Sequence, residues 1–481
     1  MKRLLTLYLL LLSATLNSSA QEMWGAATSN YSGQMGIALN PAIIVNAPYA
    51  WELHVLSFDQ SIYNNFVYLD SKSNLFRKSF AGESVNQDNI KDKNTSNPNK
   101  NAYSSTFLKY PAFIWSGKKL ALAFQVSSRA ELSANNVPNH LAKFIKEGFD
   151  YTPQHGINYK GDNIKTSFLN WHEIAFTAGT KLHDGRDWLV KGAMTVKYNY
   201  GLNGLFANID NVDYLVASPS QLIVNNMNAT YGHALPDNGE NGAQKTLAKK
   251  GGGWSTDIGF LFYKNYSANF YNPCIVRKDG KPYDYRIGVS LLDIGYVKFD
   301  KDASTYRFEN VSTNWTGIDT VNFNGIDKTD SILGVQFYGT EDGALDKNSF
   351  TIATPASINA QIDYCINTFY YVNLSVIQRL PFGDNVIRRA NQIALTPRFE
   401  TRKLEIALPI TYYDLFKPRV GFSVRYGAFT LGSDAIGALF GVTNTFGTDI
   451  YFGITIKHFG SCDRGNGSRK KVQLEQCKTP K

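Results

Sequence analysis

The sequence predicts an all-β fold: an antiparallel transmembrane β-barrel of about 14 strands, with an N-terminal plug segment and long loop insertions. Composition is the first ground. Of 481 residues, 14% are aromatic and 19% charged, with 30 Phe and 28 Tyr beside 5 Met. That balance excludes a disordered chain, which lacks the apolar residues to build a core. With 39 Gly and 4 Cys, collagen-like and disulfide-dense chains are excluded too. The second ground is that no run after residue 20 approaches the roughly 20 apolar residues of a membrane helix. The mature chain therefore either dissolves in the periplasm or spans a membrane as strands. Strands can do so only in a closed barrel, because backbone polar groups cannot go unpaired in lipid. The third ground is strict alternation of apolar and polar residues along unusually long segments.

Residues 1–20 read as a cleaved secretory signal peptide. Lys2 and Arg3 form the positive region, Leu4 to Leu16 the apolar one, and Ser18 and Ala20 supply small residues before a cut at Ala20/Gln21. The competing reading, a membrane anchor, fails because the run is too short and its exit too polar. Losing Lys2 and Arg3 takes the net charge from +9 to +7. Residues 21–50 are the plug segment, 51–459 the barrel, and 460–481 a basic polar tail. The tail sets Asp463 and Glu475 against Arg464, Arg469, Lys470, Lys471, Lys478 and Lys481. Such a run is ordinarily solvated; binding to anionic headgroups is the sharper alternative.

In 283–291, Tyr283, Tyr285, Ile287, Val289 and Leu291 alternate with Asp284, Arg286, Gly288 and Ser290. In 188–200, Trp188, Val190, Met194, Val196, Tyr198 and Tyr200 oppose Lys191, Ala193, Thr195, Lys197 and Asn199. The segments 357–364, 403–412 and 419–428 repeat the pattern. Side chains alternate across a strand, so each segment has one apolar and one wet face. A soluble sheet alternates as well. Lipid is favoured by the segment lengths, by aromatics at the ends of the apolar face, and by charges confined to the other parity. The predicted strands are 51–58, 61–69, 106–116, 119–131, 166–181, 188–202, 254–266, 283–298, 354–365, 368–380, 390–399, 403–412, 419–430 and 449–459. Turn residues at 117–119, 183–186 and 400–402 support the joins.

This list carries a conflict. It places the insertions 70–105, 132–165, 203–253 and 299–353 on the same side as the termini, the reverse of the usual arrangement. Reading 51–69 as one strand moves them to the far side but makes the count odd. The expectation is long extracellular insertions with one strand missed. Within or near the insertions, Asn139 is expected to cap a helix to Phe149 with Leu141, Phe144 and Ile145 on one face. Ser433 or Asp434 should cap another helix to Phe440. Gly251-Gly252-Gly253 reads as a flexible lead into a strand, since no Lys-Ser/Thr follows to make a phosphate loop.

Candidate chemistry is sparse. The lumen-lining candidates are Asp284, Arg286, Asp363, Arg398, Glu405 and Arg425, all on wet faces. Paired carboxylates can do acid–base work, but charges that tune a water-filled lumen are the ordinary explanation. The seven His form no ligand pair, and His183-Asp184 lies in a turn, so no metal or other cofactor is expected. No GxSxG elbow appears, and no enzyme is predicted. Four Cys permit disulfides: Cys462–Cys477 is favoured, with Cys274–Cys365 as a second candidate. Basic residues are not interleaved with aromatics on one element, so nucleic acid is not an expected partner.

Gly33-Gln34-Met35-Gly36-Ile37-Ala38-Leu39-Asn40-Pro41-Ala42 resembles the glycine-rich, Asn-Pro-Ala opening of FadL-type and PorV-type outer-membrane barrels. Several stretches resemble a Bacteroidota barrel family catalogued only as a domain of unknown function. They are Gly253–Gly259, Gly288–Gly295, Pro397-Arg398-Phe399-Glu400, Leu408-Pro409 and Gly432-Ser433-Asp434, and the likeness spans roughly 21–459. It implies a monomeric barrel in the cell outer membrane, plugged around Asn40, Pro41 and Ala42, facing outer-membrane lipid and lipopolysaccharide. FadL-type relatives pass hydrophobic ligands, which implies passive transport of small or hydrophobic solutes. PorV-type relatives serve secretion, which implies a non-transporting scaffold bound to other envelope or secretion proteins as the alternative. The basic, Cys-containing tail departs from both.

Overall fold

The computed structural model describes residues 22–70, 89–92, 98–117, 119–185, 187–235, 248–266, 281–323, 325–414 and 417–459. The expected signal peptide, the tail, and Cys274, Cys462 and Cys477 lie outside the described residues. Cys365 is a free, buried thiol, and its candidate partner Cys274 is among the residues outside the description.

The longer strands in chain order are β1 (Trp51–Asn64), β2 (Asn99–Lys109, then Ala112–Ser116), β3 (Leu120–Pro138), β4 (Asn158–Asp184), β5 (Trp188–Ser218), β6 (Gln221–Ala234), β7 (Gly251–Lys264) and β8 (Tyr285–Phe299). They continue as β9 (Ser304–Thr316), β10 (Phe350–Ala353, then Ser357–Cys365), β11 (Tyr370–Arg379), β12 (Gln392–Glu400), β13 (Leu404–Ala407, then Ile410–Tyr413), β14 (Lys417–Val420, then Phe422–Tyr426), β15 (Phe429–Ser433) and β16 (Gly447–His458), and three three-residue strands, Val67–Leu69, Ile90–Asp92 and Leu345–Lys347, lie outside this numbering. All but β6 and β9 form a closed antiparallel barrel of 14 strands. It closes where β16 pairs with β1, from Trp51 opposite His458 to Tyr63 opposite Gly447. β5 pairs directly with β7 in the wall, from Trp188 opposite Lys264 to Gly201 opposite Gly251.

The alternation read from the sequence becomes an inside-out molecule. On β5, Met194 and Val196 are exposed while Lys191, Thr195 and Lys197 are buried. On β10, Ile358 and Ile362 are exposed while Asn359 and Asp363 are buried. A protein in water would not leave a continuous apolar belt outside and charges within; a barrel in lipid must. Aromatics rim the belt at both ends, Trp188, Tyr364 and Tyr426 at one and Trp254, Tyr296 and Tyr412 at the other. Trp188 and Tyr198 mark the two rims on one strand, about 34 Å apart at strand rise and about 25 Å along the normal at barrel tilt. That is the height of a membrane's apolar band.

The sidedness conflict resolves through two compensating strand errors. Residues 51–64 form one strand, not two: Asp59 and Ser61 look like turn residues but are buried wet-face positions. Conversely, 419–430 spans two strands, β14 and β15, with Gly427 turning at φ 60°. The turn hides within the alternation because Tyr426 and Phe429 both face outward. Both barrel ends, Trp51 and His458, now share a rim with the tight turns, and the long insertions rise from the opposite rim.

The insertions are also more ordered than expected. β4 and β5 run for 27 and 31 residues, against the 9–11 or so that span a bilayer. Beyond the band β5 pairs with β6, and β6 with β9, making a projecting sheet. Among the described residues there are five α-helices: α1 (Trp24–Ala27), α2 (Gln34–Ile37), α3 (Asn139–Glu147), α4 (Ile326–Tyr338) and α5 (Ile436–Leu439). On α3 the expected stripe shifts. Asn139 is the first helical residue and not its cap, Phe144 is buried and Ile145 is exposed. α5 follows Ala435, and Ser433 Oγ accepts from that residue's N–H at 3.2 Å. Gly251–Gly253 open β7 and are not a flexible lead. A Cβ on Gly253 would fall 1.9 Å from the Tyr296 carbonyl oxygen, so glycine permits a close strand approach there.

Candidate functional site

Residues 22–50 fold into the barrel as a plug, with nearly every residue from Met23 to Ala47 buried. Its short turns leave many backbone groups without partners of their own, so the wall must supply them. Asp434 accepts the Trp24 N–H at 3.0 Å, and Gln392 accepts its indole N–H at 3.0 Å. Glu52 accepts the Gln34 N–H at 2.8 Å, and Lys109 donates to the Gln34 carbonyl at 2.7 Å. Ser290 and Asn359 donate to the Leu39 carbonyl at 2.6 and 2.8 Å.

Asn40, Pro41 and Ala42 sit where plug meets wall. Asn40 Oδ1 accepts the Ala42 N–H at 3.0 Å and so caps the 3₁₀ turn Pro41–Ile44, with Pro41 in its first position. Its Nδ2 donates to the carbonyls of Phe260 on β7 and Val289 on β8, at 3.0 and 3.3 Å. Gly259 is required beneath it, since a Cβ there would lie 2.3 Å from Asn40 Oδ1. Ala42 packs in an apolar cluster with Ile44, Val45 and Leu261.

Five of the six predicted charges converge below the plug. Arg398 grips Asp363 with two nitrogens, at 2.6 and 2.9 Å, and reaches Glu400 at 2.9 Å. Arg286 lies 3.5 Å from the same Asp363 and donates to the Thr28 carbonyl of the plug at 2.8 Å. Arg425 pairs with Glu405 at 3.0 Å, and Glu405 accepts from Ser29 of the plug at 2.7 Å. The sixth, Asp284, departs from expectation. It is half-buried at the strand's edge, accepting from Asn265 at 2.6 Å. The reason is that β8 begins at Tyr285, two residues later than the expected start at 283. Tyr283, expected on the lipid face, is instead fully buried; its hydroxyl donates to Asp363 at 2.5 Å and lies 2.8 Å from the Asn30 side chain.

A second ionic network went unread. Asp293 lies 2.9 Å from Arg129 and 2.5 Å from Lys197; Lys197 also reaches Asp257 at 2.8 Å. Arg129 pairs further with Glu131 and Glu173, and Arg389 binds Glu22 of the plug at 2.6 Å. These groups border a cavity of about 110 Å³ against the plug. Lys197 is already placed by the wet parity of 188–200, and Arg129, Glu131, Glu173 and Asp257 follow from extending that parity along their own strands. Asp293 could not. It sits at a bulge with φ 54°, where the parity slips.

Comparison with solved structures returns several matches over most of the chain. The Ralstonia pickettii toluene transporter TbuX is 9% identical, with 89% of this chain and 94% of that chain covered and a TM-score of 0.37. The Pseudomonas putida toluene transporter TodX is 9% identical, with 90% and 94% covered and a TM-score of 0.31. A Pseudomonas aeruginosa FadL homologue is 8% identical, with 92% and 99% covered and a TM-score of 0.30. No curated protein matches the chain. Residues 41–434 match the family of unknown function DUF5723, and the chain belongs to that family.

Proposed function

We propose that this is an outer-membrane barrel that passes small solutes passively, with residues 22–50 as a displaceable plug. One observation carries the reading: the plug is held to the wall by hydrogen bonds and ion pairs beside a charged cavity, as in the Arg389–Glu22 pair at 2.6 Å. A polar contact can be exchanged for water at modest net cost, so these contacts, unlike the apolar packing of Ala42, Ile44 and Val45 against Leu261, are the ones a hydrated lumen would release first. Outer-membrane lipid covers the belt, and lipopolysaccharide meets the rim that bears the insertions. The alternative, a scaffold for other envelope or secretion proteins, draws on the sheet that β4, β5, β6 and β9 project beyond the band.

Liposome swelling with graded sugars and amino acids tests the proposal. Deleting residues 22–50 should speed swelling at least tenfold over the intact chain. A folded deletion variant as tight as protein-free liposomes contradicts transport and leaves the scaffold reading standing.

A further inference from the structure

The geometry points to a binding site for small, neutral, apolar molecules in the projecting sheet, outside the barrel lumen. A cavity of about 350 Å³, partly open to solvent, lies there between β5, β6 and β9 on one side and α3 and α4 on the other. Phe149, Val212, Met227, Ala229, Phe308 and Phe337 are among its walls, and no polar surface faces it. Its tyrosines show how that is achieved. The Tyr214 hydroxyl pairs with His140 at 2.8 Å, and the Tyr231 hydroxyl donates to Asp330 at 2.7 Å. Both hydroxyls are thus engaged elsewhere and leave ring surface to the cavity. Asn208, also at the wall, turns its amide nitrogen to Asn385 at 2.7 Å.

Asn208 Oδ1 is an unpaired acceptor at the wall, but a held water needs two to four polar partners, and apolar cavities stay dry and admit apolar ligands. Left empty, the walls forfeit dispersion contacts on one side. The chemistry also selects. A carboxylate or ammonium would be desolvated here without a counter-charge, so the ligand carries no ionised headgroup: a simple aromatic or short aliphatic molecule. α4 forms the roof through Leu333 and Phe337, one turn beyond the buried Asp330 that receives His233 at 2.7 Å. The site's place in uptake rests on the transport reading, but its binding does not.

The test uses the full chain in lipid nanodiscs, with p-bromotoluene as the neutral probe and p-bromobenzoate as its ionised counterpart. Bromine quenches indole fluorescence. Trp315 lines the cavity, so the wild-type signal minus that of Trp315→Phe reports occupancy. Bromotoluene should quench saturably and bind at least tenfold tighter than the benzoate. Ala229→Phe fills the space from β6 without adding an indole and should abolish saturable quenching of Trp315. Leu333→Phe intrudes from α4 and answers the same question should Ala229→Phe not fold. Asn225→Ala, exposed on the same strand, should bind as wild type. Unchanged quenching in a folded filled variant, or equal binding of the benzoate, overturns the site. Failed swelling with intact quenching removes transport alone, and the converse removes the site alone.

Discussion

The barrel and the sheet above it are built by the same strands under opposite rules. In the band, β5 exposes Met194 and Val196 and buries Lys191 and Lys197. Past the band it buries Phe206, Tyr214 and Val216 and leaves Asp210 and Asn211 exposed. The strand geometry is unchanged; the solvent is not. Lipid pushes polarity inward, where it must be paired, whereas water pulls it outward, where pairing is optional. Ion pairs therefore stabilise very differently in the two regions.

The largest expected effect lies in the barrel interior. Arg398→Met leaves Asp363 buried with one guanidinium too few, and should cost about 3–5 kcal/mol in urea unfolding of the refolded barrel. The contrasting change is Arg307→Ala on β9, which breaks the half-exposed contacts to Glu309 and Asp346. It should leave the unfolding midpoint close to that of the wild type. Comparable losses at both sites would mean the interior is no drier than the sheet above it.

Next is the lipid face. Val196→Arg should cost about 2–4 kcal/mol by the same measurement, while Asp210→Arg on the same strand should stay within about 0.5 kcal/mol. A smaller effect is expected at the plug. Gly259→Ala forces Asn40 aside and should cost about 1–3 kcal/mol, read as faster hydrogen exchange at the Ala42 amide, which Asn40 caps. Unchanged protection there would mean that Asn40 does not fasten the plug.

These comparisons also show what could be read from sequence. The wall was legible because period-two alternation survives any solvent, and it gave Arg286, Asp363, Arg398, Glu405 and Arg425 their faces. The failures sit where chain geometry departs from period two. Asp59 and Ser61 imitate a turn inside β1, Gly427 makes a turn without breaking the apolar face, and Asp293 occupies a bulge. The plug's partners lie hundreds of residues away, as with Trp24 and Asp434, so no local pattern announces them. The apolar cavity was hidden because its walls come from separate insertions whose apolar residues resemble any core.

The smallest effect is a pH dependence outside the membrane. Asp92, in the short strand Ile90–Asp92, binds Lys143 and Lys146 of α3. Partial burial raises its carboxyl, but the two lysines outweigh this and hold it below the usual range. The contact is thus fully present above the unfolded-state value of about 3.9 and fades as pH falls through the depressed folded value. Melting at pH 6 and pH 3 should show that Asp92→Asn lowers stability by under about 1 kcal/mol at the higher pH and by less at the lower. An equal loss at both would assign the effect to packing.

The inside-out reversal itself is open to direct measurement by a nitroxide scan along β5 in bilayers, with oxygen as the lipid-side relaxant and a nickel chelate as the aqueous one. From Trp188 to Tyr200 oxygen access should peak at Val190, Met194, Val196 and Tyr198, with both reagents low at the plug-covered sites between. Beyond residue 203 the oxygen peaks should vanish and nickel access should rise at Asp210 and Asn211. Nickel maxima at Met194 and Val196 would place water where the barrel requires lipid, and would contradict the account.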